Sequence, residues 1–136
     1  MRRAAPLVLV FLLLAGCTYY PLAADTGSPR MEPKNGRLVR TPGGAVCYFD
    51  LESTGKYGDL LISAESAAAR RVAIVAANGS LVTRITVPGD SRLPFRPDGF
   101  RITLSDLTQP LIPGDGVIVT LVFAKSGRVG VVSRVE

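Results

Sequence analysis

The chain has 136 residues, a formal net charge of +5, fourteen glycines, ten prolines and no histidine. That length holds one small domain rather than two, and the missing histidine removes Ser-His-Asp and Cys-His nucleophile arrangements and every imidazole metal site. The basic residues are scattered and few aromatics sit among them, which argues against a nucleic-acid surface.

The chain opens with Met1-Arg2-Arg3, continues in an unbroken apolar run from Ala4 to Gly16, and reaches Cys17 through Leu14-Ala15-Gly16. A basic start, a short apolar stretch and a small-residue cut site directly before a cysteine are the layout of a bacterial lipoprotein signal. The run is too short for a permanent membrane span and carries Pro6. Residues 1–16 are therefore expected to be removed and Cys17 to be acylated, leaving the mature chain outside the cytoplasm on a bacterial membrane. Each buried methylene contributes about 0.8 kcal/mol, so two or three acyl chains hold a small domain essentially permanently. Plain secretion and an uncleaved anchor are the competing readings. Removing Arg2 and Arg3 lowers the formal charge from +5 to +3.

Residues 17–35 carry Pro21, Gly27, Pro29 and Pro33 with no sustained periodicity and read as a flexible tether that includes Met31. Residues 36–136 read as strand, turn, strand. Strands are expected over 36–41, 45–52, 59–64, 71–77, 80–87, 92–96, 100–104, 117–124 and 128–135, with Gly and Pro clusters between them. Asn78-Gly79 is the strongest hairpin signal, since both residues tolerate positive φ. The returning strand should show Leu81, Thr83, Ile85 and Val87 on one face, and Pro94 should mark an edge strand. The one helical candidate, 65–70, is too short to stand alone. Many short strands at regular spacing predict an all-β sandwich or barrel.

Acylation of Cys17 would leave Cys47 without a disulfide partner. Alternation places Cys47 with Ala45, Phe49 and Leu51 on one face, as a buried thiol or else a metal ligand. Carboxylates fall mostly at turns and no spacing pairs two of them for acid–base work, so an enzyme is not expected.

The stretches Phe95-Arg96-Pro97-Asp98-Gly99-Phe100-Arg101-Ile102-Thr103-Leu104, Leu107-Thr108-Gln109-Pro110-Leu111, Pro113-Gly114-Asp115 and Val119-Thr120-Leu121-Val122-Phe123 resemble the PCu(A)C copper chaperone family. The likeness extends upstream through Gly43 to Tyr48, Asp59 to Leu61 and Ala67 to Val72. It implies a cupredoxin-like Greek-key β-sandwich over 36–136, working outside the cytoplasm in carrying copper toward respiratory oxidase assembly. The family's two histidines and one methionine fall here at Val75, Arg101 and Thr103, and its methionine-bearing hairpin is shortened to Ala76–Arg84 with no methionine. Valine offers no donor and arginine is a fixed cation, so no metal and no resident cofactor is expected at that position. The leading expectation is a metal-free module, tethered to the membrane, that binds a protein partner such as an oxidase or assembly factor. Two alternatives stand beside it. One is a copper carrier using Cys47, Met31 or borrowed ligands; the other is a small-anion module built on Arg101 with Arg96 and Arg92.

Overall fold

The computed structural model describes residues 29–136; the signal segment, Cys17 and the tether up to residue 28 lie outside the described residues. The chain forms nine strands: β1 (Met31–Thr41), β2 (Gly44–Ser53), β3 (Asp59–Glu65), β4 (Ala69–Val75), β5 (Ile85–Val87), β6 (Ser91–Phe95), β7 (Arg101–Leu107), β8 (Gly116–Phe123) and β9 (Gly127–Val135). They join in one hydrogen-bonded order, β4-β7-β2-β1-β9-β8-β3-β5, with β6 on β2. The sheet curls so that both halves enclose one core, giving the all-β cupredoxin-like sandwich expected from the sequence.

Alternation drives the packing. On β8, Val117, Val119, Leu121 and Phe123 are buried while Gly116 and Ile118 are exposed. On β2, Ala45, Cys47, Phe49 and Leu51 face inward. The rings of Phe49 and Phe95 stack with centroids 4.3 Å apart, pinning β6 to β2. Strands β6 and β7 run in the same direction along one edge of β2, with residues 96–100 looped out between them. Gly44, at φ 156°, lies under β7: a β-carbon there would come within 1.9 Å of the Leu104 carbonyl oxygen, so only glycine lets the strands meet.

Four local expectations change. Strand β1 begins at Met31, not Gly36, because Met31 to Lys34 pair with Ser53 to Asp50 before a bulge at Asn35 (φ 57°) restarts the register at Arg37. Proline and Asn in that stretch read as tether, yet Met31 is buried in the core. The 65–70 segment is not helical: Ala67 and Ala68 form a turn closed by the Ser66–Ala69 bridge, and the residues at either end belong to β3 and β4. At Asn78-Gly79 only Gly79 is left-handed (φ 87°), and the turn closes by Gly79 N–H donating to the Ala76 carbonyl and Ala76 N–H donating to the Ser80 carbonyl. Those bonds describe a longer hairpin loop than the two-residue type. Beyond Val82 the chain leaves β4 and crosses to β3, where β5 pairs, so Leu81 is 75% exposed instead of sharing a buried face with Ile85 and Val87.

Asp59 fastens the start of β3 to the β8–β9 turn. Its carboxylate accepts from the Leu60, Lys125 and Ser126 amides at 2.6–2.9 Å and from the Ser126 hydroxyl at 2.7 Å. Burial pushes its pKa up, but the four donors outweigh burial and hold it below the usual aspartate value. A depressed folded pKa contributes stability that is present above the unfolded value of about 3.9 and lost as pH falls through the folded one. Asp59→Asn is therefore expected to lower stability at pH 7 and to flatten the acid limb of the urea-midpoint profile below about pH 4. Phe49→Ala is expected to cost about 3–5 kcal/mol in the same unfolding measurement, with the slope unchanged.

Candidate functional site

The positions singled out by sequence meet on β4 and β7. Val75 and Arg101 are direct cross-strand partners, and Thr103, one step along the same face, stands opposite Ala73. Partners in an antiparallel pair project to the same side, so the three side chains share the outer face of this strand pair. The register follows from the core side, where Ile74 opposes Ile102 and both are buried. Val75 is itself buried but stands apart from the main core cluster.

Arg101 Nη1 donates to the Ala76 carbonyl at 3.3 Å and to the Pro97 carbonyl at 3.4 Å. Each bond is long and so individually weak, though the donor is charged. Together they connect the 76–80 turn to the 96–100 loop. Each loop also closes on itself, the second through Arg96 N–H to the Phe100 carbonyl and Gly99 N–H to the Arg96 carbonyl, both 3.0 Å. Thr103 Oγ1 reaches the Ala73 carbonyl at 3.5 Å.

This set does not fit a copper(I) ion. Valine has no donor atom, the guanidinium offers only N–H groups and positive charge, and a threonine hydroxyl is a hard ligand. No group of three His, Cys, Asp or Glu side chains converges among the described residues.

The other candidate ligands lie elsewhere. Cys47 is fully buried, its Sγ 3.2 Å from Ser133 Oγ. Burial pushes the thiol up to about 11, with the Ser133 hydrogen bond pulling weakly the other way. Met31 pairs with Ser53, six residues along β2 from Cys47, or about 20 Å at strand rise. The two sulfurs do not share a site. Arg96 and Arg92 do not join Arg101 around an anion either. Arg96 Nη2 is 2.7 Å from Asp50 Oδ1, whose other oxygen accepts from Asn35 at 3.2 Å, and Arg92 lies 3.8 Å from Glu52. Glu52 also meets Lys34 at 2.5 Å, and the hydrogen bond between them raises the lysine and lowers the glutamate.

Sequence reasoning missed the Asp50–Arg96–Asn35 cluster. Asp50 lies on the outer face of β2, but the looped-out 96–100 segment and the β1 bulge bury it there. No pattern within one strand carries that signal.

Among known proteins, the family model described as "Putative lipoprotein LpqE-like" matches residues 26–135. No curated protein matches the chain. Among solved structures, a copper-bound PCuAC domain from PmoF2 is similar at 27% identity and TM-score 0.70, covering 80% of this chain and 94% of that one. An apo PCuAC domain from PmoF1 aligns at 23% identity and TM-score 0.71, covering 80% and 95%. The copper(I) form of the DR1885 protein of Deinococcus radiodurans aligns at 22% identity and TM-score 0.67, covering 84% and 83%. The two matches below 25% identity establish the fold.

The Cys47 thiol is expected to resist alkylation at pH 8, because a pKa near 11 leaves it almost wholly protonated and burial denies access. Peptide mapping after iodoacetamide treatment should find Cys47 modified only in denaturant.

Proposed function

The chain belongs to the LpqE-like family, whose model spans nearly all of its described residues, and we propose that it is a lipid-tethered, extracytoplasmic module of PCu(A)C type that works without copper at the family's position. The protein binds a partner at the membrane surface, in copper handling or the assembly of a respiratory oxidase, and carries out no catalysis. Residues 1–16 act as the signal, Cys17 takes the acyl chains, the following segment up to residue 30 forms the tether, and the domain begins with β1 at Met31.

The carrying observation is the pairing of Val75 with Arg101. The scaffold brings the two positions into register, as a shared site requires, yet fills one with a hydrocarbon and the other with a cation bound to two carbonyls. A guanidinium cannot be deprotonated in proteins, so it never becomes a ligand. The PmoF2 domain was solved with copper; transfer of that activity here would need donors this face lacks. The reading is a retained scaffold with its cargo site closed.

A copper(I) titration against a competing chelator tests it. The chain is expected not to compete at micromolar copper, and Val75→His, Arg101→His and Thr103→Met together are expected to introduce competition. Competition by the unaltered chain would sink the metal-free reading. The tether has its own test: Cys17→Ser should abolish acylation and release the protein from membranes, and a variant that stays bound shows the anchor reading to be wrong.

A further inference from the structure

The outer face of β1, β9 and β8 carries two features that the copper-family position does not explain. Arg37 and Arg134 are Cα partners on neighbouring parallel strands, while Leu38 and Val135, their successors, are also partners and are buried. Both arginines therefore project outward, side by side. Like charges held directly opposite one another in a sheet repel. The relief provided within the chain is small: Glu136 lies 3.5 Å from Arg37 in an exposed pair, and Arg134 forms no ion pair among the described residues. Tyr48, the partner of Arg37 on β2, supplies a ring 5.2 Å beneath the Arg37 guanidinium and holds it in place rather than neutralising it.

Next along the same ladder, Val132 faces Ile118, and these side chains are 70% and 58% exposed. Their neighbours on this face leave them uncovered. Gly116 and Gly130 flank them on β8 and β9, and Gly36 passes so close that a β-carbon there would come within 2.5 Å of the Val132 carbonyl oxygen. Val132 lies two residues from Arg134, about 7 Å along the strand. The arginine pair and the apolar pair thus form one contiguous, amphipathic surface.

We propose that this face of β1–β9–β8 rests on an anionic bilayer, with Arg37 and Arg134 against headgroup phosphates and Val132 and Ile118 at the boundary of the acyl chains. Charge complementarity selects this occupant. Anionic headgroups bring an array of phosphates to two guanidiniums that repel each other, and arginine engages phosphate with two parallel hydrogen bonds. A second copy of the chain would bring further arginines to a surface already short of anions. The inference rests on the tethered reading above and adds to it the orientation of the domain.

The test uses the full acylated chain reconstituted in vesicles, with a polarity-sensitive dye attached at Ile118→Cys, Val132→Cys or, as a control away from this face, Leu81→Cys. Buried Cys47 stays unlabelled. In phosphatidylglycerol vesicles the dye at 118 and 132 is expected to shift to the blue and the dye at 81 is not. Phosphatidylcholine vesicles should give no shift at any position, and Arg37→Glu with Arg134→Glu should remove the shift at 118 and 132. Retention on vesicles with equal emission at all three positions overturns the face assignment and leaves the tether intact. A shift at 118 and 132 that grows with protein concentration without vesicles assigns the face to a second copy and also overturns it. Loss of the protein in an alkaline carbonate wash is failure of the tether, and the oriented docking falls with it.

Discussion

Strand β2 gives both of its edges to other strands: β1 along one side, β6 and then β7 along the other. Its inward face, Ala45, Cys47, Phe49 and Leu51, is buried throughout. A one-residue slip in a strand moves its whole apolar set to the opposite face, so this buried row fixes the register of every partner. Cys47 opposite Ile102, and Ile102 opposite Ile74, set three strands in phase. The meeting of Val75 and Arg101 on the outer face follows from that phase and from no interaction of their own. Tyr48 opposite Arg37, and Arg37 opposite Arg134, continue the same phase toward β9.

The break between β6 and β7 and the β1 bulge at Asn35 together shape the outer face around Asp50. If the strand ran through, Arg96 would take its turn in the ladder opposite Tyr48. The 96–100 segment instead loops out, and Arg96 closes on Asp50 at 2.7 Å with Asn35 completing the cluster. A buried carboxylate of this kind needs both partners, since breaking a buried pair strands a charge. The same loop offers the Pro97 carbonyl to Arg101. One excursion of the chain thus shapes both the buried acid cluster and the arginine contact on β7.

Strands were legible wherever alternation and burial coincide. Strands β2, β3, β8 and β9 were read to within two residues, because Cys47, Leu61, Val119 and Val131 sit in apolar rows that a sequence displays. Legibility failed where pairing is decided by distant chain. Pro33 and Asn35 look like linker until β2 is known to pair with Glu32 and Pro33. Leu81 looks like core until the chain is seen to abandon β4 for β3. At the candidate site, Val75, Arg101 and Thr103 were legible through resemblance, but the carbonyls that Arg101 contacts, which lie on two separate loops, were not.

Arg101 brings a fixed positive charge to the outer face of β4 and β7. A bound metal ion links its ligands through bonds that form and break, so a carrier can load and unload. A guanidinium joined covalently to β7 makes long hydrogen bonds to two carbonyls, each contributing about 1 kcal/mol net, and cannot leave. It connects the 76–80 turn to the 96–100 loop. Val75, Arg101 and Thr103 offer no soft donor on this face of the domain. The amphipathic face carrying Arg37, Arg134, Val132 and Ile118 lies on the same continuous sheet, in register with the strand that holds Arg101.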